Sequence, residues 1–257
     1  AEALLRWQRE DRLLGAEEFL PMLKGHPLAR RVGEWVLRQA LAQVASWRSA
    51  GERIAVAVNV TGAQLSRSDF TAALRELLQE YELDDGDCGL TLEILESSAL
   101  AEHERLQEVM AACEPLGVGF ALDDFGTGYS SLSHLKDLSA GRLKVDRRFV
   151  RDLFKGDNDF AMLSAIVGMA RAFGRELVAE GVESIAQGDV LLGLGCRYAQ
   201  GFAIAPALAP EALLAWRAAW RPPESWTAAA PAEAAEALGE PSPAVRALWQ
   251  ALAGTDA

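Results

Sequence analysis

The sequence has few of the residues that build disulfide frameworks and soft-ligand metal sites. Its 257 residues include three histidines and three cysteines, Cys88, Cys113 and Cys196. The cysteines are widely spaced and form no CxxC motif, and no histidine stands at zinc-ligand spacing from another histidine or a cysteine. These absences argue against a disulfide scaffold and a Cys/His zinc site, and they favour a reducing compartment.

Long apolar runs and clustered positive charge are also absent. No run reaches the roughly 18 apolar residues of a membrane span, and no basic start is followed by the short apolar run of a secretory signal. Lys and Arg number 25 against 37 Asp and Glu, a formal net charge of −12. We therefore expect a cytoplasmic domain without membrane contact and without a polymeric nucleic acid partner, although upstream parts of a longer protein could be membrane-anchored. A small anionic substrate remains compatible with this charge if bound cations neutralise its site.

Short apolar strands alternate with helical runs along most of the chain. The strands are predicted at 2–5, 53–59, 89–94, 118–122, 142–145, 176–179 and 197–199. This alternation predicts a mostly parallel α/β sheet, either open or closed into a barrel. Half of the residues are hydrophobic, and the length suits one (β/α)8 barrel, although it also allows two smaller domains.

The strand count and the end of the chain predict the domain organisation. A closed barrel of this class needs eight strands; seven are visible, so we expect the first strand to lie upstream of residue 1. The barrel is predicted to span residues 1–220. Residues 221–257 are rich in Ala, Pro and Glu and are predicted to be a linker, which could end in a helix at 244–252.

Polar residues stand at or near the carboxyl ends of nearly all the predicted strands. They are Glu2, Asn59, Glu93, Glu96, Asp123, Asp124, Lys144, Glu180 and Gln200. One carboxylate at a strand end usually caps a helix, but its recurrence favours a site, because parallel strand ends face one mouth of a barrel. Crowded carboxylates disfavour one another's ionisation unless cations bind, and oxygen ligands suit Mg²⁺ or Mn²⁺. The pattern alone predicts a metal-dependent hydrolase or transferase, in which two ions could hold a phosphodiester and activate water.

Several motifs resemble those of the EAL family of cyclic di-GMP phosphodiesterases. The motifs are Glu2-Ala3-Leu4-Leu5-Arg6-Trp7, Asn59-Val60-Thr61, Glu93-Ile94-Leu95-Glu96-Ser97, Asp123-Asp124-Phe125-Gly126-Thr127-Gly128-Tyr129-Ser130-Ser131, Leu143-Lys144-Val145-Asp146, Ala179-Glu180-Gly181-Val182-Glu183 and Gln200-Gly201-Phe202. The sequence departs from the family pattern at Thr61 for the usual Ser, at Leu95 for the usual Thr, and in the segment 19–26, where the family usually has an acidic residue near Lys24. The resemblance implies a TIM-like (β/α)8 barrel that hydrolyses cyclic di-GMP to linear pGpG in bacterial second-messenger signalling.

The resemblance also implies roles for single residues. The implied ligands of two Mg²⁺ or Mn²⁺ ions are Glu2, Asn59, Glu93, Asp123 and Asp124. The implied catalytic residues are Lys144, which would position the attacking water, Glu180, which would reach the second ion through water, and Glu96, which would anchor the loop 124–131. The implied substrate contacts are Arg6, Gln200 and Leu4.

Retention of these residues favours an active enzyme over its alternatives. One alternative is a module that senses cyclic di-GMP without cleaving it, yet degenerate members usually lose the first Glu, one of the paired Asp or the Lys. A purely protein-interacting relative would not need five retained carboxylates. The implied partners are cyclic di-GMP, a second copy of the chain in a homodimer, and an upstream sensory or cyclase-like domain.

Overall fold

A computed structural model describes residues 1–84, 86–127, 138–154 and 157–228. The chain divides into two compact units. The first comprises residues 1–121 and 130–140, and the second comprises residues 122–129 and 141–257.

The first unit holds most of the strands. They are β1 (Glu2–Ala3), β2 (Arg6–Arg9), β3 (Arg12–Gly15), β4 (Val56–Asn59), β5 (Leu90–Leu95) and the beginning of β6 (Gly119–Phe125). Its helices are α1 (Ala16–Leu23), α2 (Leu28–Ser49), α3 (Gly62–Leu65), α4 (Phe70–Glu80), α5 (Glu96–Ala101) and α6 (His103–Cys113), followed by a 3-10 turn at Glu114–Leu116. Strand β1 pairs in parallel with β4, and β4 pairs in parallel with β5.

The second unit continues the alternation of strands and helices. Its elements are the end of β6, β7 (Arg142–Val145), α7 (Arg147–Arg151), α8 (Asp157–Ala172), β8 (Glu176–Ala179), α9 (Ile185–Gly193), β9 (Tyr198–Ala199), α10 (Pro210–Ala219) and α11 (Glu224–Ala228). The strand order is β1, β4, β5, β6 in the first unit and β6, β7, β8, β9 in the second. Each of the seven predicted strands therefore has its counterpart, and the predicted parallel sheet is confirmed. Across the described ranges, no helix is both long enough and apolar enough to cross a membrane.

An antiparallel hairpin of β2 and β3 is the element that the sequence analysis missed. Arg6 lies opposite Gly15 and Arg9 opposite Arg12. Every residue of β2 is exposed, so neither face of the strand needs to be apolar. The strand therefore lacks the apolar alternation from which strands are predicted. Glu10 closes the turn with a φ of 51°, a left-handed conformation that is uncommon for a residue other than glycine.

Strand β5 shows why the parallel strands read as near-continuous apolar runs. Its first five residues, from Leu90 to Ile94, are all buried. Strands of a parallel sheet are covered on both faces, so both sets of alternating side chains face protein. Helix α2 supplies buried apolar residues to the same unit, with Leu41 0% and Val44 1% exposed.

A short helix lies inside the predicted linker. In α11, Trp226 Nε1 donates a hydrogen bond to the carbonyl oxygen of Ile185 at 3.2 Å. A Cβ at Gly188 of α9 would collide with the Trp226 ring, so this glycine makes room for the indole. The tail is thus packed on α9 up to α11, while the predicted helix at 244–252 lies outside the described residues and the boundary at 220 stays a prediction.

Side-chain bonds join the amino ends of β7 and β8 to each other and to the edge strand β9. Arg142 lies opposite Glu176 in the ladder, and its Nε donates to Glu176 Oε2 at 2.7 Å. The Tyr198 hydroxyl donates to Glu176 Oε1 at 3.0 Å. The bond from Arg142, more than that from Tyr198, holds the pKa of Glu176 below its ordinary 4.5.

We expect Leu92→Ala to lower the free energy of unfolding by about 2–5 kcal/mol, because it leaves a cavity at a buried strand position. Leu92 is 0% exposed, whereas Leu13 is a strand leucine that is 59% exposed. Leu13→Ala is the matched control and should cost less than about 0.5 kcal/mol. Urea unfolding followed by circular dichroism measures both, and equal costs would contradict the burial described for β5.

We expect the stabilisation by Glu176 to depend on pH in a defined direction. Since its folded-state pKa is lowered, its contribution is complete above about pH 4.5 and is lost as the pH falls through the folded-state pKa. Glu176→Gln should therefore cost a few tenths of a kcal/mol at about pH 7 and less at about pH 3, the small size reflecting a half-exposed pair. Unfolding at both pH values tests this, with exposed Glu211→Gln as control; a pH-independent cost would refute the assignment.

Candidate metal centre

Three of the predicted ligands lie on neighbouring strands of the first unit. Asn59 ends β4 and lies opposite Glu93 of β5 in the ladder. Asn59 Nδ2 donates to Glu2 Oε1 at 2.8 Å. Glu93 is buried, with 3% exposure. Strand register therefore brings two carboxylates and an amide together, a donor set that suits a hard divalent cation.

The turn that follows Asn59 is fixed by reciprocal capping. Thr61 Oγ1 accepts from the Gln64 backbone N–H at 3.3 Å, and Gln64 Oε1 accepts from the Thr61 backbone N–H at 3.0 Å. Gly33 of α2 lies against the Gln64 side chain, where a Cβ would collide with the amide. Thr61 thus replaces the family's usual serine without loss of the hydroxyl that caps α3.

A carboxylate cluster lies in the second unit. Asp123, Asp124 and Glu180 each offer an oxygen, and these oxygens lie within 4.8 Å of one another. Asp124 has a left-handed backbone with a φ of 54°, and its carbonyl oxygen accepts from Thr127 Oγ1 at 2.9 Å. Strained backbone of this kind persists only where surrounding bonds hold it. The cluster fits a divalent cation in ligand type and spacing.

The ammonium group of Lys144 is buried within this cluster. Lys144 is 2% exposed, and its Nζ lies 2.7 Å from Glu180 Oε1 and 3.1 Å from Asp123 Oδ1. Among the described residues, Asp123 Oδ1 is a buried oxygen that accepts no hydrogen bond. An oxygen so placed can still ligate a metal ion. Gln200 Nε2 donates to Glu180 Oε1 at 2.8 Å, which joins the predicted substrate-binding glutamine to the same carboxylate.

Asp146 lies beside this cluster. It belongs to one of the sequence motifs quoted above, but the sequence predicted no role for it. Burial, and next the charges of Asp123 and Asp146, raise the pKa of Asp124, which shares a side-chain hydrogen bond with Asp146. Burial acts in the same direction on Asp146, but the backbone N–H and the guanidinium of Arg148 outweigh it and lower the pKa of Asp146. The charged form of Asp124 is therefore disfavoured relative to that of Asp146. A divalent ion would favour the charged form of Asp124, since ligating carboxylates must be ionised.

The remaining predicted residues lie apart from these contacts. Leu4 is 48% exposed, and Arg6 lies on exposed β2 with its Nη1 donating to the Leu5 carbonyl oxygen at 2.9 Å. Glu96 begins α5 and is 2% exposed. The loop that it was predicted to anchor lies partly outside the described residues, so that role stays a prediction.

Comparison with known proteins decides the family. The EAL domain family matches residues 1–207. The chain belongs to the EAL domain family. The likeness to solved structures of this family also confirms the predicted fold class, the α/β type of TIM-like barrels.

Relatives of this EAL domain carry names that describe enzymes. It is 38% identical over 216 residues to the bifunctional diguanylate cyclase/cyclic di-GMP phosphodiesterase MucR of Pseudomonas aeruginosa, covering 83% of this chain and 31% of that protein. It is 36% identical to the cyclic di-GMP phosphodiesterase PdeR of Escherichia coli, covering 84% of this chain and 32% of that protein. The EAL domain thus spans about a third of the length of these curated relatives.

Solved structures resemble the EAL domain over the same region. The complex of a MucR phosphodiesterase with c-di-GMP is 38% identical, with a TM-score of 0.76, and covers 82% of this chain and 86% of that one. The EAL enzyme Bd1971, bound to cAMP and cyclic-di-GMP, is 28% identical, with a TM-score of 0.77, and covers 83% of this chain and 59% of that one.

Two glycines with left-handed backbones allow a test of whether the close packing of Gly181 positions the neighbouring Glu180. Gly181 has a φ of 70°, and a Cβ there would lie 2.7 Å from the Arg147 Cβ. Gly174 has a φ of 63° and open space around it. We expect Gly174→Ala to cost about 1 kcal/mol for its backbone alone. Gly181→Ala should cost more and should also weaken Mn²⁺ binding, because it displaces Glu180.

Urea unfolding and isothermal titration with Mn²⁺ measure the two effects. Equal costs for the two variants, with unchanged metal affinity, would show that the close approach of Gly181 to Arg147 does not position Glu180.

Proposed function

We propose that this chain is a metal-dependent phosphodiesterase that hydrolyses cyclic di-GMP to linear pGpG. The observation that carries the proposal is the buried Lys144 ammonium between Asp123 and Glu180, with Asp124 in the same cluster. A buried lysine held by carboxylates, beside further carboxylates, is an arrangement expected of a site and is costly to keep for stability alone. The names of the relatives supply the substrate class.

We assign the metal ligands to the two units separately. Glu2, Asn59 and Glu93 are the proposed ligands of the first unit, and Asp123 and Asp124 those of the second, with Glu180 close by. Two ions of Mg²⁺ or Mn²⁺ are proposed because hard oxygen ligands select such ions. When bound, they would supply Lewis-acid polarisation of the phosphodiester and activation of water.

The protein's own residues have separate tasks in this proposal. Lys144 places a positive charge where an attacking oxygen develops negative charge, so it favours hydroxide over water at that position. Glu180 Oε1 pairs with this ammonium and also accepts a hydrogen bond from Gln200 Nε2, which helps to fix the carboxylate. Arg6 and Leu4, exposed in the first unit, are proposed substrate contacts, and Glu96 is proposed to support the loop that follows Asp124.

The organisation of the whole protein is part of the same proposal. The name of the MucR relative includes a diguanylate cyclase activity, and the matched region is 31% of its length. We propose that the EAL domain spans residues 1–220 and acts beside a sensory or cyclase-like domain in a longer protein. A homodimer and a cytoplasmic location of this domain are proposed with it.

The purified chain incubated with cyclic di-GMP and Mg²⁺ or Mn²⁺ should give pGpG, resolved by chromatography. Product should be absent with a chelator, and Asp123→Asn should lose at least about 100-fold in rate, because it removes a proposed ligand. Asp87→Asn is the matched control, since Asp87 is 70% exposed and pairs with Arg53 in the first unit. Its activity should equal that of the unmodified chain.

Three other results would each reject part of the proposed function. Nucleotide binding without cleavage would assign the chain as a sensor of cyclic di-GMP. Neither binding nor cleavage, with the chain folded, would exclude this substrate class. Cleavage that persists in the chelator would exclude the metal requirement.

A further inference from the structure

The candidate cluster of the second unit carries more negative than positive charge. Its carboxylates are Asp123, Asp124, Asp146 and Glu180. Lys144 is buried and already pairs with two of them. A solvent-facing cation beside this cluster would help the proposed metal ions to attract a dianionic cyclic dinucleotide.

Arg148 is a cation of this kind. Its side chain is 58% exposed. Its backbone N–H donates to Asp146 Oδ1 at 2.7 Å, and its Nε donates to the same oxygen at 3.0 Å. The Asp146 backbone N–H donates to the carbonyl oxygen of Phe125, the residue after Asp124, at 3.5 Å, and the charge of Asp146 helps to raise the pKa of Asp124. The guanidinium is thus fastened to the cluster by its inner nitrogen.

The rest of the guanidinium is available for an anion. An arginine carries five N–H donors, and within the described part of the chain the side-chain bond of Arg148 uses the one on Nε. The terminal nitrogens, Nη1 and Nη2, keep the other four. Two such nitrogens in a fixed plane match the oxygens of a phosphate, which is the geometry for which arginine surpasses lysine.

We propose that Arg148 binds a phosphate of the cyclic dinucleotide and so fixes its orientation over the carboxylate cluster. The proposal rests on the proposed function and adds a substrate contact to that site. Asp146 then has a second task, since it holds the guanidinium stem in place. The opposed reading is that Arg148 acts only through Asp146, as a residue that positions Asp124.

The same helix offers a matched control. Arg151 is also in α7, is 55% exposed, and pairs with Asp152 through Nε at 2.9 Å and Nη2 at 3.0 Å. Arg148 and Arg151 therefore agree in residue type, helix and exposure, and each is paired with an aspartate. They differ in the aspartate that they contact, because Asp146 belongs to the cluster and Asp152 is the neighbour of Arg151 in sequence.

The test compares Arg148→Gln, Arg148→Lys and Arg151→Gln in steady-state hydrolysis of cyclic di-GMP and in binding of a fluorescent cyclic di-GMP with Ca²⁺ in place of Mg²⁺. Arg148→Gln should raise KM and Kd about ten-fold, the loss of a charge-assisted contact. Its kcat should stay within about two-fold, and the Mn²⁺ concentration for half-maximal rate should not change. Arg148→Lys should restore part of the affinity, and Arg151→Gln should behave as the unmodified chain.

Two results overturn the proposal while the proposed function stands. In the first, the unmodified chain cleaves the nucleotide, and Arg148→Gln matches Arg151→Gln in KM and Kd. In the second, Arg148→Gln raises the Mn²⁺ requirement and leaves KM and Kd unchanged, which assigns Arg148 to positioning. If the unmodified chain neither binds nor cleaves cyclic di-GMP, the proposed function fails and the phosphate contact fails with it. If the unmodified chain binds cyclic di-GMP without cleaving it, the Kd values of the variants still decide whether Arg148 contacts the nucleotide.

Discussion

The ion pairing of the buried Lys144 ammonium is the interaction on which the second unit's site depends. An ammonium taken out of water is strongly unfavourable unless carboxylates surround it, and Asp123 and Glu180 meet that need. The carboxylates in turn can stand so close together because the ammonium offsets their repulsion. Neither side of this arrangement is stable without the other, and loss of one partner of a buried pair costs about 3–5 kcal/mol.

Strand pairing delivers the members of this arrangement to one place. Lys144 lies opposite Val178 in the ladder of β7 and β8, and the Gln200 backbone N–H donates to the Ala179 carbonyl oxygen at 2.8 Å. A shift of register by one residue would turn each side chain to the other face of the sheet. The apolar residues of these strands therefore fix the chemistry as well as the core, since their burial forbids such a shift.

The sequence predicted those members of the candidate site whose positions follow from the regular backbone of the strands. Asn59, Glu93 and Lys144 lie on parallel strands and Glu180 follows one, and within each unit the strand pairing brings neighbouring members together. Asp146 was not predicted as a member of the site, because its role comes from side-chain contacts with Asp124 and Arg148 that no local pattern encodes. The hairpin of β2 and β3 was missed because its first strand is wholly exposed, and the docking of Trp226 was missed because alanine and proline around it are typical of a linker.

The contact between Gly33 and Gln64 links helix α2 to the turn that follows Asn59, a candidate ligand. Glycine inside α2 gives up about 0.5–1 kcal/mol of helix stability relative to alanine, and the space that it leaves holds the amide that caps this turn. A side chain at position 33 would collide with that amide and disturb the turn. The residue that helix α2 can carry at position 33 is therefore limited by a turn from a different part of the sequence.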